Sequence, residues 1–287
     1  MSPIISVIIP VYKDWIRLQN CLQALQNQSA DHDCFEVIVV NNEPNFSPAP
    51  LSHFDFRIKV LNQTKPGSYA ARNKGLEAVQ GKAVMFTDSD CEPDHYWIKR
   101  AIELIQKDEF ELFAGRIDVV SKIENIWVRY DQAFAFPNES YVHEENFGVT
   151  ANLLVKAKVF DQVGGFKDSM FTGGDSEFCN RAVKAGFRIS YDQSLIVKHP
   201  ARESWNSLRT KAIRFGGRLP QGKSRLIIWL KLLGKFRIRF SDHSKIWGLS
   251  GVSLIDKTAF SHIKQRLRWV EAWESMQVFF GKSAGRK

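Results

Sequence analysis

The sequence predicts an α/β protein with a mostly parallel, Rossmann-like sheet and a basic, helical C-terminal extension. Three observations carry this. Over the first ~110 residues, short β-branched runs alternate with amphipathic segments of helix length, the pattern of βαβ units. The apolar run Ala83-Val84-Met85-Phe86-Thr87 stops at Asp88-Ser89-Asp90, placing two carboxylates at the end of a buried strand. Basic residues gather late: from Pro200 onward 19 Lys+Arg face 5 Asp+Glu, whereas the preceding 199 residues hold 21 against 26.

The elements follow in order. Ile4 to Pro10 is a β-branched run closed by proline, hence a buried strand. Asp14 is placed to cap a helix on which Trp15, Leu18, Leu22 and Leu25 form one apolar face. Phe35 to Val40 is a second buried strand ending at Asn41-Asn42, and Arg57 to Leu61 a short third. Pro66-Gly67-Ser68 turns the chain into a helix expected to run to Gly81. Pro93-Asp94 opens a helix through about Lys107. Leu112 to Val120 reads as a strand, and the aromatic-rich residues 121–147 carry no clear period. Val149 to Val155 (strand), Lys156 to Val163 (helix), Asp175 to Ala185 (helix), Phe187 to Tyr191 and Leu195 to Lys198 (strands) follow. After Ser204 the chain is helical and basic.

Composition narrows the class. The 287 residues suit one large domain or two small ones. The four cysteines, Cys21, Cys34, Cys91 and Cys179, are scattered without a Cys-x-x-Cys, which points to reduced thiols in a cytoplasmic protein and away from a zinc module. No leader pattern opens the sequence, and no run approaches the ~20 apolar residues of a membrane span. The net charge of +9 lies in the C-terminal third, so a polyanionic partner is expected.

Asp88 and Asp90 carry the chemistry. Residues i and i+2 of a strand face one side, and two carboxylates there repel unless a cation sits between them. Mg²⁺ or Mn²⁺ with a phosphate-bearing ligand suits such a pair. In a parallel sheet the carboxyl ends of the strands lie together. Pro10-Val11-Tyr12, Asn41-Asn42, Lys65 to Asn73 and Asp88-Ser89-Asp90 can therefore line one crevice. A base would sit by Val11, Tyr12 and Asn41, and a diphosphate by the cation and Arg72, with Lys65 nearby.

This set resembles the inverting family 2 glycosyltransferases of GT-A fold, from about Ile4 to about Arg218. A second block extends the resemblance: Gly148-Val149-Thr150-Ala151-Asn152, Val163-Gly164-Gly165-Phe166, Gly173-Gly174-Asp175-Ser176-Glu177-Phe178, Arg181, Lys184-Ala185-Gly186-Phe187 and His199. The resemblance implies residues 1–205 as the GT-A domain, with about 1–110 binding nucleotide and 111–205 the acceptor, and 206–287 as the extension. It implies a metal held by Asp90, Asp88 and His199, and a nucleotide sugar (UDP first) held by Pro10, Val11, Tyr12, Asn41, Lys65, Arg72, Asp88 and Ser89. Asp175 is the implied general base, and Asn152, Glu177 and Arg214 face a glycan or lipid-linked acceptor. Thr150 also falls at the donor or acceptor. Two departures stand out. The family's Glu-Asp pair is Gly174-Asp175 here, and its base-reading aspartate is Asn41. A helix dipole also lowers an aspartate pKa, whereas a base works best near ambient pH.

Residues 222–240 interleave Lys and Arg with Ile, Leu, Trp and Phe, a pattern suited to an anionic membrane surface. Arg209, Arg214 and Arg218 precede it on an expected helix and suit a lipid diphosphate. A cytoplasmic enzyme, peripheral on the inner membrane face, is the resulting expectation; no nucleic-acid motif is present. A nucleotidyltransferase and a non-catalytic membrane or partner-binding platform are the alternatives.

Overall fold

The computed structural model describes residues 2–45, 51, 53–170, 172–217 and 224–282. In chain order the elements are β1 (Ile5–Val11), α1 (Trp15–Gln26), β2 (Phe35–Asn41), β3 (Arg57–Asn62), α2 (Ser68–Leu76), β4 (Ala83–Phe86), β5 (Glu92–Pro93), α3 (Trp97–Lys107), β6 (Leu112–Val120), α4 (Ile126–Phe134), α5 (Asn138–Glu145), β7 (Leu153–Lys156), α6 (Ala157–Val163), α7 (Gly174–Lys184), β8 (Ile189–Pro200), α8 (Trp205–Gly216), α9 (Arg225–Lys235), α10 (Phe240–Trp247) and α11 (Leu254–Phe279). They form two compact units: Met1–Val120 with Phe136–Pro200, and Ser121–Ala135 with Ala201–Lys287.

The first unit is built on one sheet of order β3-β2-β1-β4-β7-β6-β8-β5. β3, β2, β1 and β4 run parallel, and β7 enters antiparallel between β4 and β6. Every residue of β1 and β2 is buried, because helices cover both faces. Period-2 alternation divides their side chains: Ile5, Val7 and Ile9 join one apolar cluster with α1 and α3, while Ile8, Ile38 and Val40 join another with α2 and α7. The carboxyl ends of β1, β2 and β4 therefore open onto one edge.

Several boundaries differ from expectation. α2 stops at Leu76, five residues before Gly81. α3 begins at Trp97, because Glu92–Pro93 pairs with β8 instead. The strand expected from Val149 begins at Leu153, after a 3-10 turn over Thr150–Asn152. The two strands expected between Phe187 and Lys198 are one, β8, whose register against β6 shifts between Gly115 and Arg116. A β-carbon at Gly115 would lie 2.2 Å from both Asn152 Nδ2 and the Leu195 carbonyl, so the irregularity requires glycine there. Asp14 makes no side-chain cap; its carboxylate accepts from Arg17 Nε at 2.8 Å.

In the second unit, Ser204 and Ser207 form a capping box at the start of α8. Tyr130, Leu208, Ala212, Ile246, Phe260 and Ile263 make its core. The Asp131 carboxylate is buried and accepts from the backbone N–H and guanidinium of Arg202 at 2.9–3.2 Å. Among the described residues no helix is long and apolar enough to cross a membrane.

Candidate active site

β4 ends at Phe86, so Asp88 and Asp90 stand in the following turn, which the Cys91 N–H closes on the Asp88 carbonyl at 3.1 Å. The same-side argument for a strand therefore does not apply, and the two carboxylates take different partners. Asp88 Oδ1 accepts from Arg72 Nη2 at 2.6 Å. Asp90 lies 3.6 Å from Arg17 Nη1 and 3.9 Å from His199 Nε2.

The ligand atoms of Asp90, Cys91 and His199 lie within 4.8 Å of one another. Asp88, expected here as a third metal ligand, is not among these three residues and pairs with Arg72. His199 was expected just after a strand; it lies within β8, opposite Val119. Its ring is buried, with Nδ1 2.7 Å from the Pro200 carbonyl. A carbonyl only accepts, so Nδ1 donates to it, which leaves Nε2 facing Asp90. Burial pushes the Asp90 carboxyl above its ordinary range, His199 pulls it down, and Asp88 adds to the rise. Burial likewise pushes the Cys91 thiol well up. A carboxylate and an imidazole nitrogen at this separation fit a divalent cation.

Arg72 is buried on α2, its guanidinium 5.7 Å from the Tyr69 ring. Among the described residues, Arg72 Nε and Thr87 Oγ1 are buried polar atoms without a protein partner, beside the Asp88 turn. Unsatisfied donors of this kind mark a place for a ligand. Ser89 is buried in the same turn. Lys65 pairs with Asp168 at 2.8 Å.

At the ends of β1 and β2, Pro10 and Val11 are buried, and the Val11 carbonyl accepts from the Asn42 N–H at 2.8 Å. Tyr12 is 41% exposed, with the Lys13 ammonium 5.4 Å from its ring. Asn41 is nearly buried: Nδ2 donates to Asn62 Oδ1, and Oδ1 accepts from the Glu43 N–H, both at 3.0 Å. A cavity of about 320 Å³ opens beside it, lined also by Glu43, Pro44, Asn62, Gln63 and Thr64.

Asp175 stands on the first turn of α7. Thr150 Oγ1 donates to its Oδ1 at 2.9 Å. Burial pushes this carboxyl above the ordinary aspartate range, while Arg72 and the hydrogen bonds from Thr150 and Tyr69 draw it down and Asp88 adds to the rise. Desolvation thus outweighs the pull of Arg72 and the hydrogen bonds. Arg72 and Asp88 both act electrostatically on Asp175.

The acceptor residues fare differently. Glu177 is held by Lys167 at 2.9 Å and Arg181 at 3.1 Å. Burial raises its carboxyl, but these two cations leave it below the usual range. Asn152 is corrected: it is fully buried, accepts from Trp97 Nε1 at 2.9 Å, and donates to the Arg116 and Leu195 carbonyls at 2.8 Å. Its amide holds β6 and β8 and offers no surface to an acceptor. Arg214 is exposed on α8 of the second unit. Arg218 lies outside the described residues. Sequence reasoning missed Tyr69, Cys91 and Arg17; Tyr69 sat inside the quoted run Lys65 to Asn73, three residues before Arg72.

The family model described as "Glycosyl transferase family 2" matches residues 6–169, from β1 through the turn before α7. The chain belongs to glycosyl transferase family 2. It is therefore a transferase enzyme, and the matched span holds Arg72, Asp88 and Asp90, with Asp175 and His199 beyond it. The Haloferax volcanii glycosyltransferase AglE is 29% identical over 255 residues, covering 87% of this chain and 81% of that protein. The pre-mycofactocin glycosyltransferase of Mycobacterium tuberculosis is 26% identical over 230 residues; the match takes 74% of this chain and only 46% of that protein. Among solved structures, the Pyrobaculum calidifontis mannosyltransferase PcManGT in complex with GDP-Man and Mn²⁺ superposes with TM-score 0.54 at 16% identity, covering 96% of this chain and 73% of that one. A fragment of S. aureus TarS in complex with UDP-GlcNAc gives TM-score 0.53 at 14% identity, with coverage of 97% and 92%. At these identities the likeness is one of fold, GT-A.

Proposed function

We propose that this family 2 glycosyltransferase moves a sugar from a nucleotide-sugar donor, a UDP-sugar in the first instance, to a hydroxyl of a glycan or lipid-linked acceptor, with inversion. The observation that carries the reading is Asp175: a carboxylate with a raised pKa, held by Thr150, within electrostatic reach of the Arg72–Asp88 pair. A carboxylate raised in this direction is a better proton acceptor than an ordinary aspartate.

Asp90 and His199 would hold a divalent cation, Mn²⁺ or Mg²⁺. When bound, the cation neutralises charge on the departing diphosphate. Arg72 donates to the same phosphates, with Ser89 and Lys65 at the turn around them. The base lies by Pro10, Val11, Tyr12 and Asn41. The acceptor oxygen bonds to the anomeric carbon as the bond from that carbon to the phosphate oxygen breaks; the electron pair leaves on the nucleoside diphosphate, and Asp175 takes the hydroxyl proton. Glu177 serves by holding Arg181, whose guanidinium donates to the Val163 and Gly165 carbonyls and so ties α7 to the preceding loop. The bound ligands of PcManGT and TarS support a nucleotide-sugar donor.

About residues 1–110 would supply the nucleotide half and 111–205 the acceptor half, apart from 121–135 and 201–205, which cluster with the second unit. In residues 206–287, α9 exposes Leu226, Leu230 and Leu233 at spacings of one helical turn, and Arg225 and Lys231 are also exposed. That face suits an anionic lipid surface and supports a peripheral, cytoplasmic placement.

Incubation with UDP- and GDP-sugars plus Mn²⁺, reading released nucleoside diphosphate, tests the function. Release from one nucleotide class, lost in Asp175→Asn, is expected. No release from any sugar nucleotide would contradict it.

A further inference from the structure

The helix that presents Asp175 begins without a side-chain cap, since Gly173 at its N-cap position has φ 76° and no side chain to offer. The first N–H groups of a helix need acceptors from elsewhere. Tyr69, on α2, provides one: the Gly174 N–H donates to its hydroxyl oxygen at 2.9 Å. The phenol ring is almost fully buried and stacked on Phe166 with centroids 5.6 Å apart. A β-carbon at residue 174 would stand 2.6 Å from that ring, so the ring can reach the helix start only because residue 174 is glycine.

A phenol oxygen that receives an N–H donor must turn its own proton elsewhere. Tyr69 is one of the groups that draw the Asp175 carboxyl down, alongside the Thr150 hydroxyl that donates to its Oδ1 at 2.9 Å. We infer that Tyr69 is a positioning residue for Asp175: by capping α7 from another helix it fixes the helical turn that carries the carboxylate. This rests on the reading of Asp175 as the general base. Besides Tyr69, the charged or titratable groups facing Asp175 are Arg72 on α2, Asp88 in the turn after β4, and the Cys179 thiol one turn along α7.

Tyr69→Phe tests this by removing one oxygen and leaving the ring. The probes are UDP-N-acetylglucosamine and GDP-mannose with Mn²⁺, with slow transfer to water read as released nucleoside diphosphate, and Asp175→Asn is run alongside. Expected for Tyr69→Phe are a kcat roughly tenfold lower, the loss of about one hydrogen bond, a donor KM within about twofold, and an acid limb of the pH profile moved upward, because Tyr69 is one of the groups that lower the Asp175 carboxyl. A merely structural tyrosine would leave the acid limb in place. If Asp175→Asn is inactive while Tyr69→Phe keeps the wild-type kcat and profile, the Tyr69 inference falls alone. If Asp175→Asn is fully active, the base reading falls and takes this inference with it.

Discussion

The ring of Tyr69 fills the space in which a side chain on residue 174 would begin, with Cε2 2.6 Å from the position of a β-carbon there. Gly174→Ala is therefore expected to cost about 1–3 kcal/mol, the usual penalty of overpacking, despite the better helix propensity of alanine. Thermal melts measure it. In a Tyr69→Ala background the same substitution should cost nothing further, and equal losses in both backgrounds would show that the two residues are uncoupled.

Asp175→Asn should lower kcat by about 10²–10⁴ while leaving donor affinity intact, since the amide keeps the shape and cannot take a proton. Steady-state nucleoside diphosphate release, paired with donor binding, separates the two quantities.

The raised Asp175 carboxyl sets a pH dependence with a definite sign. The folded protein holds this proton to higher pH than the unfolded chain, so the group's contribution to stability is highest below the unfolded pKa and declines as pH rises through the folded one. Activity moves the other way, because only the carboxylate accepts a proton. A rate profile whose acid limb lies above the ordinary aspartate range is expected; a limb at or below that range would contradict the assignment.

Much of this was legible in the sequence, and the reasons are local. β1, β2 and β4 are continuous apolar runs, so burial on both faces betrayed them. Asp88, Asp90 and Arg72 sit in short motifs whose spacing survives folding. Asn152 was misread because a lone asparagine at a strand edge looks like a binding group. Only the tertiary approach of Trp97, Arg116 and Leu195 reveals it as a buried bracket. Tyr69 was passed over because its partner lies 105 residues away. The strand assigned to Asp88 and Asp90 failed at its last residues, where the chain turns back through Cys91.

The exposed face of α9 gives a separate expectation. Leu226→Glu with Leu230→Glu should abolish sedimentation with vesicles containing anionic lipid. Wild-type binding should weaken with salt, since each basic residue near the surface contributes about 1 kcal/mol. Unaltered binding by the double variant would contradict the membrane role of this helix.

The most direct measurement is calorimetric titration of UDP, GDP and dTDP into the wild-type protein and into Asp90→Asn, each with and without Mn²⁺. The expected result is binding of one nucleotide that requires Mn²⁺ and weakens at least about tenfold in Asp90→Asn, as loss of a metal ligand demands. Binding of none of them, or binding indifferent to both metal and Asp90, would contradict the proposed cation–diphosphate site.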